Sequence, residues 1–279
     1  MPELPEVQTI TSDLNLLLSG AKPTAITILW KKVLENTTAE ELDSNLTDTL
    51  VRNFSRRAKY IIMHLKNNKH LVFHLRMTGR LTITRESLPD EKFLEWKILF
   101  ADGLELHFHD QRRFGRLWFF PTTKELEKFF TALNLGVEPL SEEFTEEVLS
   151  KLLKRSSIPL KQFLLDQTAI AGIGNIYANE ILWEACLHPE TLTTVLKKKQ
   201  RELLYKSIKV VLAFAIEKRG TSYSDFRDAL GLEGDFQYFL CAHNKAGTPC
   251  PRCGTPIVKT MIAQRGTYLC LACQKQQLN

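Results

Sequence analysis

The chain opens Met1-Pro2-Glu3-Leu4-Pro5-Glu6. Removal of Met1 would leave Pro2 with a free secondary amine, a chain terminus and a nucleophile at once. An ordinary α-amino group titrates at about 7.7–8.0 against about 10.4 for lysine, so a usable fraction of it is neutral at pH 7. A neutral amine adds to an electrophilic carbon and forms an imine, and Glu3 beside it and Glu6 one turn on offer acid/base groups for the proton transfers.

A second constellation lies at the other end. Cys250-x2-Cys253 and Cys270-x2-Cys273 have the spacing of a zinc ribbon, in which each pair turns two thiolates toward one tetrahedral ion. Four protein ligands leave no position open for water, so the expected Zn2+ is structural. Cys186 and Cys241 fall outside the pattern. Between these ends, Arg56-Arg57-Ala58-Lys59-Tyr60 sets three cations before an apolar strand, and Asp110-Gln111-Arg112-Arg113-Phe114-Gly115 puts two arginines and an aromatic on a turn. Arginine reads a base edge or phosphate, and phenylalanine can wedge between stacked bases. Met77, in His74-Leu75-Arg76-Met77-Thr78-Gly79, is another possible wedge. Ala171-Gly172-Ile173-Gly174-Asn175 is a glycine-flanked turn opening onto a helix, a place where backbone N–H groups meet anions.

The elements that must position these residues follow from periodicity. Val7, Ile10, Leu14 and Leu17 predict an amphipathic helix behind Pro2, stopped by Gly20. Short β-rich runs follow at Ala25–Trp30, Tyr60–Leu65, His70–Arg76, Arg80–Thr84, Lys97–Ala101, Glu105–His109 and Arg116–Phe120, with turns at Asn67-Asn68 and Asp102-Gly103. Without helical crossovers they predict an antiparallel sandwich or barrel. After a boundary near Gly136–Ser141 the pattern is helical over Glu142–Lys154, Pro159–Gln167, Asn175–Ala185 and Lys197–Lys218, and Thr221–Asp235 reads as a loop. The finger should form a hairpin from Ile257–Met261 and Gly266–Leu269.

Composition bounds the whole. The 279 residues are 44% hydrophobic and 25% charged, as in a globular protein of one large or two medium domains. Residues 1–150 hold 19 basic against 22 acidic side chains, residues 151–279 hold 18 against 10, so the second half is the one suited to phosphate. Acidic residues replace the basic patch of a leader peptide, and no stretch nears about 18 apolar residues, so the expectation is a cytosolic protein with no membrane span.

Together these motifs resemble the formamidopyrimidine-DNA glycosylase family of bacterial base-excision repair over essentially the whole length. The resemblance is carried by Pro2-Glu3-Leu4-Pro5-Glu6, Arg56-Arg57-Ala58-Lys59-Tyr60, His74-Leu75-x-Met77-x-Gly79, Arg112-Arg113-Phe114-Gly115, Gly172-Ile173-Gly174-Asn175-Ile176-Tyr177, Gln264-Arg265-Gly266-Thr267 and the four cysteines. It implies an α+β multidomain fold: a catalytic β-sandwich with a leading helix over 1–136, a helix-two-turn-helix DNA-binding domain over 137–240 and a zinc finger over 241–279, with DNA in the cleft between the halves.

It also implies roles. Pro2 attacks C1′ of the damaged nucleotide, Glu3 shuttles protons, and Lys59 and Arg265 serve the two eliminations. His74, Lys59 and Asn175 pin phosphates. Met77, Arg112 and Phe114 fill the gap left by the flipped lesion, with Arg113 in the same DNA-facing turn. The implied activity is excision of oxidised purines such as 8-oxoguanine and formamidopyrimidines from double-stranded DNA, with strand cleavage, by a monomer holding one zinc ion. Leu4 and Phe114 argue against the sister family, endonuclease VIII, which prefers oxidised pyrimidines. Intact Pro2, Glu3 and Lys59 argue against a non-catalytic DNA binder. Departures from the family pattern fall at Phe93, Ser156, Leu232 and Ala242-His243-Asn244-Lys245, positions that bear on affinity and lesion preference.

Overall fold

In the computed structural model, residues 2–47, 49–85, 92–223 and 226–276 are described. The chain packs as two compact units, Met1–Leu133 with Lys218–Gln237, and Asn134–Glu217 with Tyr238–Asn279.

The first unit begins with helix α1 (Leu4–Leu18). Its Val7, Ile10 and Leu14 are fully buried in the core as their spacing predicts, whereas Leu17 is exposed and Leu18 takes its place on the buried face. The helix ends at an extended Ser19, and Gly20 follows at φ +85, a conformation in which a side chain would be strained. Strand β1 (Pro23–Ile28) and helix α2 (Ala39–Leu46) come next, the helix capped by Thr38, whose hydroxyl accepts the Glu41 N–H. Then follow β2 (Val51–Arg57), β3 (Tyr60–Leu65), β4 (His70–His74), β5 (Gly79–Thr84), β6 (Leu94–Phe100), β7 (Glu105–Asp110), β8 (Arg116–Phe120) and helix α3 (Thr123–Ala132).

The strands form two antiparallel four-stranded sheets in the orders β1-β6-β7-β5 and β2-β3-β4-β8. Alternation assigns the faces of the second sheet. Ile61, Met63, Leu65, Leu71 and Phe73 enter the main core, whereas Tyr60, Ile62, Val72 and Trp118 pack with Leu126, Phe129 and Phe130 of α3. Phe73, Trp96 and Phe108 stack in series with centroids 5.1 and 5.3 Å apart, joining the two sheets across the core. The expected β-sandwich is therefore present. Sequence periodicity passed over β2, α2 and α3.

The segment Lys218–Gln237 belongs to this unit, whereas the sequence-based boundaries put it with the helical domain. Three ties explain its allegiance. Arg219 bridges Asp13 of α1 at 2.7 Å and Asp228 at 2.5 Å, Glu6 accepts the Thr221 N–H at 2.7 Å, and Ile83 N–H donates to the Ala229 carbonyl at the edge of β5. Within the expected loop Thr221–Asp235, Ser224 and Asp225 lie outside the described residues.

The second unit holds α4 (Glu146–Lys154), α5 (Leu160–Leu165), α6 (Asn175–Glu184), α7 (Lys198–Glu217) and a hairpin of β9 (Val258–Ile262) and β10 (Arg265–Leu269). Glu180 on α6 is buried and accepts the N–H groups of Cys241, Ala242 and His243 at 2.8, 3.0 and 2.6 Å, fixing the chain as it enters the finger. No helix among the described residues is long and apolar enough to cross a membrane.

Candidate active site and nucleic-acid interface

Pro2 and Glu3 are buried at the start of α1, with Glu3 as its N-cap. Met1 lies outside the described residues. Glu6, offered by the sequence as a second acid/base group, is engaged with the backbone instead. One of its carboxylate oxygens accepts the Glu3 N–H at 2.8 Å, the other the Thr221 N–H at 2.7 Å. It anchors the chain behind Pro2 to the 218–237 segment.

Lys59 sits at the tip of the β2–β3 hairpin. Arg57 and Tyr60 are the last cross-strand pair, leaving Ala58-Lys59 as a two-residue turn with Ala58 at φ +51. Arg56 ties this tip to α1, donating from Nε to Gln8 Oε1 at 3.0 Å and from Nη1 to the Ala58 carbonyl at 2.8 Å. Farther down, Asn15 of α1 pairs with the backbone of Phe54 through both its amide atoms, each at 2.6 Å. The helix that carries Pro2 and the hairpin that carries Lys59 are thus fastened at two levels.

His74 closes β4 opposite Tyr60, their rings edge-on at 4.6 Å. Burial, with the Arg76 and Lys59 charges, pushes its imidazole down to about 3. Its Nδ1 accepts the Arg76 N–H at 3.0 Å, so the neutral ring carries its proton on Nε2. Toward a phosphate it can act as a hydrogen-bond donor and not as a cation.

Met77, Arg112 and Phe114 are brought together. The Arg112 guanidinium lies 4.8 Å from the Phe114 ring centroid and its Nη1 is 3.0 Å from Met77 Sδ, while Met77 and Phe114 remain 43% and 45% exposed. Their organiser is Asp110, to which no sequence motif assigns a role. Its fully buried carboxylate accepts the N–H groups of Arg112, Phe114 and Gly115 at 3.1, 2.8 and 2.7 Å and the Thr78 hydroxyl. Arg113 departs from the cluster and lies on the Trp30 ring, 4.0 Å from its centroid.

In the second unit, Asn175 is the first residue of α6, and its Nδ2 donates to the Gly266 carbonyl at 3.0 Å. Arg265, the residue before that glycine, is exposed at the start of β10. The glycine turn before Asn175 is less open to anions than the sequence suggests: Gly172 N–H donates to Gln167 Oε1 at 2.9 Å, and Gln167 Nε2 returns to the Ile173 carbonyl at 2.8 Å. Glycine is needed at 172 for its φ of +90.

Cys250, Cys253, Cys270 and Cys273 converge, with all four Sγ atoms within 4.8 Å of one another. Sulfurs bonded at about 2.3 Å to a tetrahedral ion stand about 3.8 Å apart, so the cluster suits a zinc ion. Trp183 Nε1–H points at Cys250 Sγ from 3.4 Å, the kind of outer hydrogen bond that supports a metal thiolate. Arg252, between the first two cysteines, stacks on the same indole at 4.0 Å.

Comparison with known proteins gives three family matches in order along the chain. They are the formamidopyrimidine-DNA glycosylase N-terminal domain over residues 1–117, the formamidopyrimidine-DNA glycosylase H2TH domain over 135–227, and a zinc finger found in FPG and IleRS over 247–276. A formamidopyrimidine-DNA glycosylase of Pelotomaculum thermopropionicum is 42% identical over 275 residues, covering 99% of each chain. A crystal structure of a Lactococcus lactis FPG mutant with Fapy-dG-containing DNA is similar at TM-score 0.92 and 35% identity, covering 99% of this chain and 100% of that one. A structure of MutM with DNA containing carbocyclic 8-oxo-G matches at TM-score 0.91 and 34% identity, with the same coverage.

Proposed function

The chain belongs to the formamidopyrimidine-DNA glycosylase family, and from that membership and the site geometry we propose that it is a bifunctional glycosylase and abasic-site lyase acting on oxidised purines in double-stranded DNA. The observation that carries this reading is the fastening of the Pro2-Glu3 helix to the Lys59 hairpin through Arg56 and Gln8.

The Pro2 nitrogen attacks C1′ of the extruded nucleotide and the oxidised base leaves with its bonding electrons, accepting a proton. Glu3 moves protons between the ring-opening sugar and the departing groups. Opening of the sugar leaves an iminium at C1′, which draws electrons from the C2′–H bond and makes that proton acidic. Lys59 assists its removal and the 3′ phosphate is expelled. Arg265 serves the second elimination, at the 5′ side. Buried Glu3 has little water around it, so its exchanges with the substrate are not diluted by solvent.

On the DNA, Lys59, Asn175 and the Nε2–H of His74 grip phosphates, while Met77, Arg112 and Phe114 enter the space vacated by the lesion and Arg112 meets the orphaned base. Arg113 stays in the same turn. Cys250, Cys253, Cys270 and Cys273 would hold a Zn2+ ion whose contribution would be structural, a cross-link that stiffens the hairpin bearing Arg265. The protein works as a cytoplasmic monomer on chromosomal DNA.

The test is excision from duplexes carrying 8-oxoguanine, a formamidopyrimidine or an oxidised pyrimidine, each opposite every base. Release of oxidised purines with strand cleavage, favoured opposite cytosine, is expected. Preference for oxidised pyrimidines would overturn the substrate assignment.

A further inference from the structure

The loop between β7 and β8 turns around the Asp110 carboxylate, but that carboxylate fixes only its backbone. Arg113 in its middle stands at φ +57, a left-handed conformation that residues with side chains rarely adopt. Its N–H bonds the Asp110 carbonyl at 3.2 Å, and its guanidinium lies over Trp30, 4.0 Å from the ring centroid. Its two neighbours, Arg112 and Phe114, stack on each other at 4.8 Å and leave the indole to Arg113.

Trp30 is itself fixed to the root of this loop. The N–H groups of Leu29 and Trp30 both donate to the Glu95 carbonyl, at 2.8 and 3.0 Å, and the Asp110 N–H donates to the Phe93 carbonyl at 2.9 Å. Residues 93–95 lie where the β6–β7 register shifts, so one irregular stretch carries both the indole and the start of the turn. Lys32 lies 5.6 Å from the same ring, and Arg116 is held by Glu35. Neither takes the place of Arg113 on the indole.

We propose that Trp30 is a positioning residue: by holding Arg113 on its ring it locks the β7–β8 turn in the form that presents Arg112 and Phe114 together. This rests on the reading of that turn as the element that fills the lesion gap. Trp30 belongs to none of the motifs above and acts through Arg113, with no contact of its own to the reacting atoms.

The experiment compares Trp30→Ala, Trp30→Phe, Arg113→Leu and the Trp30→Ala/Arg113→Leu pair in the full-length protein. Single-turnover excision of 8-oxoguanine from a duplex should fall roughly tenfold in Trp30→Ala, the loss expected of a partly exposed cation–π contact, and its preference for cytosine over adenine opposite should narrow. Borohydride trapping on a single-stranded abasic oligonucleotide, where no gap has to be filled, should be unchanged in Trp30→Ala. Phenylalanine should restore most of the duplex rate. The pair should lose no more than the worse single variant. Additive losses, or a Trp30→Ala enzyme with wild-type duplex rate and base preference, would overturn the proposal. If Trp30→Ala does not fold, Trp30→Leu replaces it, and a Trp30→Leu/Arg113→Leu pair whose losses add would overturn the proposal equally. A wild-type enzyme indifferent to the opposite base would instead remove the gap-filling reading beneath it.

Discussion

The side-chain amide of Asn175 donates to the main-chain carbonyl of Gly266 at 3.0 Å, so the first residue of α6 holds the hairpin at the position that follows Arg265. Asn179, one turn on, faces Tyr268 N–H from 3.4 Å, and Trp183, another turn on, reaches Cys250 Sγ at 3.4 Å. Three residues spaced by four thus line one helix face and bind three points of the finger. In the proposed reading this stripe would couple phosphate grip at Asn175 to the orientation of Arg265, and a zinc ion on the four cysteines would stiffen its far end.

Glu180 stands beside that stripe and should govern how firmly the finger is seated. Replacing it by alanine strands three N–H donors, that of Ala242 buried and those of Cys241 and His243 half-buried, and should lower stability by about 3 kcal/mol. Thermal melting and the rate of zinc loss to a chelator measure the effect, with glutamine giving partial rescue. Unchanged zinc retention in Glu180→Ala would show that the clamp does not support the metal site.

Glu95 should make the fold sensitive to alkali. It is 1% exposed, neither carboxyl oxygen has a hydrogen-bond partner among the described residues, and burial, then Asp110, push it up to about 8 against the opposing charges of Arg113 and Arg116. A raised folded pKa means full stability below about pH 4.5, where both states are protonated. Stability then falls as pH rises toward 8, because only the unfolded carboxyl has ionised. Glu95→Gln should therefore gain little at pH 4.5 and on the order of 4 kcal/mol at pH 8. Equal effects at both pH values in denaturant titrations would contradict this.

His74 leads to the opposite expectation, an absence of pH dependence. With its imidazole down at about 3, it is neutral across the working range. The ratio of DNA affinities between wild type and His74→Ala should be the same at pH 5.5 and pH 8. A ratio that grows at pH 5.5 would mean that the ring becomes cationic on DNA.

Much of the frame was legible in the sequence because α1 and the apolar strands carry clean periods of 3.6 and 2. Strand β2 did not, since Val-Arg-Asn-Phe-Ser-Arg-Arg has only two apolar residues; it lies at a sheet edge, where charge is tolerated. The short helices α2 and α3 announced themselves only through Thr38-x-x-Glu41 and Thr122-x-x-Glu125, capping signatures easily passed over beside the strands. The cysteine cluster could be read from spacing alone. What Asp110, Glu180 and Glu6 hold could not, because each carboxylate binds backbone N–H groups, some of them far away in sequence, and backbone leaves no mark in a sequence pattern.

At the centre of the proposed mechanism stands a covalent bond between the nitrogen of Pro2 and the sugar. The most direct measurement is borohydride reduction during turnover on an 8-oxoguanine duplex, followed by peptide mass spectrometry of the trapped enzyme. One nucleic-acid adduct is predicted, on an N-terminal peptide that begins at Pro2, and none from a Pro2→Gly enzyme with its terminus acetylated. An adduct on Lys59 or any other lysine, or an active enzyme that retains Met1, would contradict it.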